Sequence, residues 1–284
     1  MASPFDPPTT AVRAAVQRAL DEDLGPLGDL TAALVPADVV VSAALRARAD
    51  GVLAGRACVT EAFAAVDATI HVRWHRGDGD ALERGAAIAD IDGPLASVLT
   101  AERTALNFLC HLSGVATLTR RFVVAAQSGR PGTKVWDTRK TLPGLRALEK
   151  AAVRAGGGAN HRGSLSDFIL VKDNHLAGLS ITDAVAAAKD RWPARTVEVE
   201  CDRAEQVAAA VDAGATLIMC DNMSPDQVRA CVALVAGRAL VEVSGGVTLD
   251  TIAAYAAAGA DLISSSVITQ SAPALDIGLD LNPR

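Results

Sequence analysis

Asp137-Thr138-Arg139-Lys140-Thr141-Leu142-Pro143-Gly144-Leu145-Arg146, with the chain beyond it through His161-Arg162 to Lys172-Asp173-Asn174-His175, is dense in side chains able to do chemistry. Between Asp137 and His175 stand seven Lys/Arg and four acids, a local charge of +3 in a chain of formal charge −6. A basic pool in an acidic chain points to a small, multiply anionic ligand rather than to nucleic acid or a membrane surface. Solvated helix charge accounts for Arg146, Lys150 and Arg154, spaced i, i+4, i+8 on one helical face. It does not account for Arg139, Lys140 and Arg162, which stand beside Thr, Pro and Gly. Arg139, His161, Arg162 and Lys172 supply donors for carboxylates or phosphates, and an arginine fork suits a carboxylate bidentately.

These residues have to be held by something, and the sequence around them shows what. From residue 133, short β-branched runs recur at Lys134–Trp136, Phe168–Val171, Val197–Val199, Leu217–Met219, Leu240–Val243 and Leu262–Ser264. Helical segments separate them, among them Ile181–Lys189, Ala204–Ala213, Pro225–Val235 and Leu249–Ala258, as in a βα repeat. About six such units predict a parallel sheet rolled into a barrel or partial barrel with helices outside. Polar residues follow every strand: Asp137 to Lys140, Lys172 to Asn174, Glu200 and Asp202, Asp221-Asn222, Ser244-Gly245-Gly246, and Ser265-Ser266. In a parallel barrel those strand ends share one face, where the βα loops build the site. Ser244-Gly245-Gly246 can turn successive N–H groups toward a phosphate, the more so with a helix starting at Thr248. Glu200 and Asp221 suit sugar hydroxyls, Mg²⁺ or a cationic transition state. A strand-end carboxylate with an ordinary partner is the plain alternative for each.

The first half reads as α+β with little visible chemistry. An amphipathic helix starts at a capping Thr9 or Thr10, buries Val12, Ala15, Val16, Ala19 and Leu20, and ends near Gly25-Pro26. Strands are expected over Val39–Ala49, Gly51–Gly55, Ile70–Trp74 and Ala87–Ile91, with a helix near Thr60–Val66. His71 and His75 alternate along a strand and read as its polar face, not as metal ligands. A helix is expected from Thr100, with a break at Gly114. Arg103 in its first turn reads as surface. Gly156-Gly157-Gly158 reads as a helix C-cap and loop. Five scattered cysteines with no CxxC pair point to a reducing cytoplasm. No stretch approaches transmembrane length.

The runs Asp137–Lys150, Gly156–Arg162, Lys172–His175, Asp221–Met223 and Glu242–Val247 resemble quinolinate phosphoribosyltransferase, the carboxylating nicotinate-nucleotide pyrophosphorylase family. Glu22–Leu24, Gly28–Thr31, Thr100–Asn107 and Leu275–Leu279 extend the resemblance over nearly the whole chain. It implies an N-terminal α/β sandwich (1–109) and a C-terminal open α/β barrel (110–284), with the C-terminal tail packing back on the first domain. It implies transfer of phosphoribosyl from phosphoribosyl pyrophosphate to quinolinate with decarboxylation, using Mg²⁺, by a homodimer in NAD biosynthesis. Thr138, Arg139, His161, Arg162 and Lys172 match substrate-site positions, and Arg103 matches an arginine given across the dimer, which reverses the surface reading. Lys140, Glu200 and Asp221 match the phosphoribosyl pyrophosphate and metal side, with Lys140 and Lys172 as candidates for protonating the carbanion. Ser244, Gly245, Gly246, Ser265, Ser266 and Val267 match the phosphate region. Ser266 stands where the family has a glycine, which restricts backbone approach to the phosphate.

Three other readings stay open at this stage. One is the molybdenum-transport-associated paralogue of the same fold, which Lys172-Asp173 speaks against. Another is a Schiff-base aldolase using Lys140 or Lys172. The third is a barrel that binds phosphosugars without turnover.

Overall fold

The computed structural model describes residues 5–176 and 178–281. The chain opens with α1 (Thr9–Leu24), β1 (Val40–Ala47), β2 (Gly51–Val52), α2 (Arg56–Val66), β3 (His71–Trp74), β4 (Ala81–Leu82) and β5 (Ala87–Pro94). The 35-residue helix α3 (Leu95–Gly129) leads to β6 (Lys134–Trp136) and α4 (Arg146–Ala155). Next come β7 (Ile169–Val171), α5 (Ile181–Arg191), β8 (Val197–Cys201), α6 (Ala204–Asp212), β9 (Leu217–Asp221) and α7 (Pro225–Val235). The last elements are β10 (Leu240–Ser244), α8 (Ile252–Ala257), β11 (Leu262–Ser264), α9 (Val267–Gln270) and β12 (Ile277–Leu281). They divide into two compact units, one of residues 1–120, 141–157 and 268–284, the other of 121–140 and 158–267.

In the first unit a four-stranded antiparallel sheet, ordered β12-β1-β5-β3, carries the core. Strand β1 buries Ala43, Ala44, Leu45 and Ala47, and β5 buries Ile88, Ala89 and Ile91. Helix α1 buries Val12, Ala15, Val16 and Leu20 of its expected stripe and leaves Ala19 half-buried, but Pro8 occupies the N-cap and no threonine side chain caps it. Its fixed φ leaves the first turn preorganised without one. Helix α3 starts at Leu95 rather than Thr100 and passes Gly114 unbroken. That glycine serves packing instead: a Cβ there would collide with the Pro273 carbonyl oxygen and come within 3.0 Å of Ala274 Cα. Ser113 and Thr117 on α3 accept hydrogen bonds from the Ala54 and Val52 amides at 3.1 and 2.9 Å.

Helix α4 corrects a second expectation. Lys150 is buried, and Arg154 donates to the Lys150, Phe5 and Asp6 carbonyls, so this face is not solvated. Glu149, fully buried, accepts from His111 Nε2 at 2.8 Å and from the Leu142 amide at 3.2 Å. It thereby fastens the segment that follows Lys140. Gly156 caps α4, and Gly157 follows it with φ +90°.

The second unit is a six-stranded parallel sheet ordered β6-β11-β10-β9-β8-β7. Strands β6 and β7 are its two edges, so the ladder is open between them. Val197, Val199, Leu217, Ile218, Val241, Val243 and Ile263 are buried, as expected for strands covered on both faces. Helix α7 begins with Pro225 behind a capping box, in which the Ser224 amide donates to Gln227 Oε1 at 2.8 Å. Helix α5 is capped by Ser180, whose Oγ accepts from the Asp183 amide. Among the described residues, no helix is long and apolar enough to cross a membrane.

Candidate active site

At the C-terminal ends of these strands lies a cavity of about 500 Å³. Thr138, Arg139, Lys140, His161, Arg162, Lys172, Glu200, Asp221, Ser244, Gly245 and Gly246, all expected from the sequence, line it. So do Leu170, Met219, Asn222, Glu242 and Ser264. Ser265, Ser266 and Val267 are not among the lining residues. Ser265 is buried with its Oγ donating to the Val247 carbonyl at 3.4 Å, and Val267 is exposed at the start of α9. Arg103 is exposed on α3 in the other unit.

Asp137 is the organiser of the basic side. It is fully buried at the end of β6 and accepts from the His161 amide at 3.0 Å and from Asn160 Nδ2 at 2.6 Å. Ala159 adds a parallel bridge to Trp136, its amide donating to the Val135 carbonyl at 2.8 Å. Residues 159–161 therefore run beside β6 like a short extra strand, which is what carries His161 and Arg162 to the strand ends. The His161 ring is held edge-on between Trp136 and Phe168, with centroids 5.4 and 4.9 Å away. Its Nε2 lies 3.0 Å from Glu198 Oε2 and 3.8 Å from Glu242 Oε2.

Burial, and then the neighbouring Arg139 charge, pull the Arg162 guanidinium below its ordinary pKa. Holding two arginines together at a cavity wall makes sense where an anion comes between them. Lys172 Nζ donates to Glu200 Oε2, joining the basic and acidic walls. On the acidic side, Asp221 Oδ2 accepts from Asn222 Nδ2 at 2.8 Å, and the Asn222 amide donates to the Ser244 carbonyl at 2.9 Å. Gly245 and Gly246 have φ of +89° and +61°, and a Cβ on Gly245 would overlap Asn222 Oδ1. Both glycines line the cavity, in a left-handed backbone conformation that other residues rarely adopt. Helix α8 proper starts at Ile252, after a turn in which the Thr251 and Ile252 amides donate to the Thr248 carbonyl.

Glu198 and Glu242 are not singled out as site residues by the sequence, although both stand in mid-strand inside apolar runs and Glu242 opens the run Glu242–Val247. Glu198 shares its face of β8 with Glu200 by the period-two rule, a signal that was available. Both are fully buried. Burial pushes the Glu198 carboxyl up to about 7. It raises Glu242 well above the usual range, helped by the Glu198 charge.

The fold and the site define an α/β-barrel enzyme whose strand-end cavity sets cationic side chains opposite carboxylates and a glycine-lined turn. Residues 29–113 match the N-terminal domain of quinolinate phosphoribosyl transferase and residues 115–280 its C-terminal domain, so the chain belongs to that family. A probable nicotinate-nucleotide pyrophosphorylase (carboxylating) of Bacillus subtilis is 42% identical over 262 residues, spanning 92% of this chain and 90% of its own. The nicotinate-nucleotide pyrophosphorylase (carboxylating) of Mycobacterium leprae is 42% identical over 281 residues, spanning 95% of this chain and 97% of its own. The solved nicotinate-nucleotide pyrophosphorylase of Francisella tularensis superposes with a TM-score of 0.93 at 36% identity, covering 99% of this chain and 100% of that one.

Proposed function

We propose that this enzyme transfers the phosphoribosyl group of phosphoribosyl pyrophosphate to quinolinate with loss of CO₂, giving nicotinate mononucleotide and pyrophosphate for NAD biosynthesis. One observation carries the reading: a single cavity holds Arg139, His161, Arg162 and Lys172 on one wall, and Glu200, Asp221 and the 244–246 turn on the other. The cationic wall binds the two carboxylates of quinolinate and aims its ring nitrogen at the ribosyl anomeric carbon. As the nitrogen–carbon bond forms, the bond to pyrophosphate breaks. Glu200 and Asp221 lower the energy of the positive charge that develops on the ribose. When the adjacent carboxylate leaves as CO₂, its bonding pair stays on the ring carbon, stabilised by the positive pyridinium nitrogen beside it. A proton delivered to that carbon, from Lys140 or Lys172, completes the mononucleotide.

Hard carboxylate oxygens on two neighbouring strand ends suit Mg²⁺, directly or through water, and Glu200 and Asp221 would hold it. When bound, it supplies neutralisation of the pyrophosphate charge. In this reading the protein works in the cytoplasm, in keeping with five free cysteines, as a homodimer. Arg103, exposed on α3, reaches the cavity of the opposite protomer. The test is a coupled assay with quinolinate, phosphoribosyl pyrophosphate and Mg²⁺, with nicotinate as the control acceptor. Equal amounts of CO₂ and nicotinate mononucleotide from quinolinate alone are expected. A folded protein that yields neither overturns the assignment.

A further inference from the structure

Beneath the cationic wall, His161 meets two carboxylates, Glu198 and Glu242, that the transfer reaction does not use. His161 Nε2 and one carboxylate oxygen each from Glu198 and Glu242 lie within 4.8 Å of one another, and all three residues are buried. Glu198 and Glu242 project from β8 and β10, the two strands flanking β9, so rigid elements fix them. Glu198 Oε1 and both carboxylate oxygens of Glu242 lack a well-aligned hydrogen bond, and what lies beside Glu242 is the other carboxyl and the Ser264 hydroxyl. Buried acceptors left so are costly unless a proton or a cation joins them.

The spacing admits a small divalent cation, and the donor types choose among them. A tetrahedral ion with bonds of about 2.0–2.1 Å needs ligand atoms roughly 3.3 Å apart. The distances from His161 Nε2 to the two carboxylates, 3.0 and 3.8 Å, straddle that value. An imidazole with two carboxylates suits Zn²⁺ and its transition-metal neighbours better than Mg²⁺, which prefers six oxygens. His161 and Glu242 line the cavity and offer a path of entry.

We propose that His161, Glu198 and Glu242 form a binding site for one divalent transition-metal ion such as Zn²⁺, and that an ion seated there competes with quinolinate. The competition rests on the function proposed above, because the ion takes the ring nitrogen of a side chain that the substrate needs; the ion site itself does not. Binding displaces to solvent the protons held by the ring nitrogen and the carboxyls.

The experiment uses whole protein stripped with EDTA and dialysed against Zn²⁺ alone. One tightly held ion per chain is expected, with affinity at least tenfold weaker in both Glu242→Gln and Glu198→Gln, each checked for an intact melting transition. Zinc should raise the apparent KM for quinolinate, EDTA should reverse the effect, and added Mg²⁺ should not. X-ray absorption should show a nitrogen and oxygen shell. Unchanged zinc affinity in both variants overturns the site. So does a sulfur shell near about 2.3 Å, which would place the ion on cysteine. Relief by Mg²⁺ would place it at Glu200 and Asp221 and likewise overturns the proposal. Should quinolinate not be turned over at all, dialysis still decides the ion site. The competition is then read from displacement of bound zinc by quinolinate, and zinc left undisplaced overturns it.

Discussion

Replacing Glu198 by Gln should make the protein more stable, and only at neutral to alkaline pH. Glu198 is fully buried, and its carboxyl is raised from 4.5 to about 7 by that burial. A folded-state pKa above the unfolded one means that the native state binds the extra proton. Stability is then full below about pH 4.5 and declines as pH rises toward 7. At about 1.4 kcal/mol per unit, the loss reaches about 3 kcal/mol above pH 7. Glutamine keeps an oxygen to accept from His161 Nε2, cannot ionise, and relieves Glu242 of a like charge. The Glu198→Gln variant should therefore gain about 2–3 kcal/mol over wild type between pH 5 and pH 8. Urea unfolding of both proteins at the two pH values, with EDTA present to exclude metal, measures this directly. A difference that stays constant across that range, or moves in favour of wild type, refutes the assignment of burial as the cause.

Three further outcomes follow from the geometry. Gly245→Ala meets both a left-handed φ of +89° and Asn222, whose backbone nitrogen would lie 2.9 Å from the new Cβ. Steady-state kinetics should show KM for phosphoribosyl pyrophosphate up at least ~10-fold, with that for quinolinate within about twofold. Glu149→Ala strands His111 and the Leu142 amide in a partly buried setting, and should lower the urea-unfolding free energy by about 1–3 kcal/mol. Arg103→Ala and Lys172→Ala should each be nearly inactive. Mixed and reassociated, they should recover about a quarter of wild-type activity, because half the dimers then hold one intact site; no recovery refutes the shared site.

The parallel strands were legible because strands buried on both faces must be continuous apolar runs, and β6 and β11 fall where the runs put them. Their polar successors were legible for the same reason, since a parallel sheet gives all of them one address. What stayed hidden was long-range. Gly114 looks like a helix breaker until Pro273 is seen lying against it, some 160 residues away. Lys150 and Arg154 read as solvated until the Phe5 and Asp6 carbonyls arrive from the other end of the chain. His161 was readable as a ligand group, but its fixing through Asp137 and the bridge at Ala159 was not, because GGGAN has no strand pattern. Ser265 and Val267 show the converse case, in which a motif position names a neighbourhood without saying which way a side chain faces.

The pairing of β12 with β1 sets a clock on biosynthesis. About 230 residues of chain separate Ala47 from its partner Ile277. At roughly 5–20 residues per second, a ribosome needs about 10–50 s to deliver the second strand after the first. Throughout that interval β1 has β5 on one side and an unsatisfied row of amides and carbonyls on the other. Nascent chains are therefore most exposed to pairing with one another along this edge.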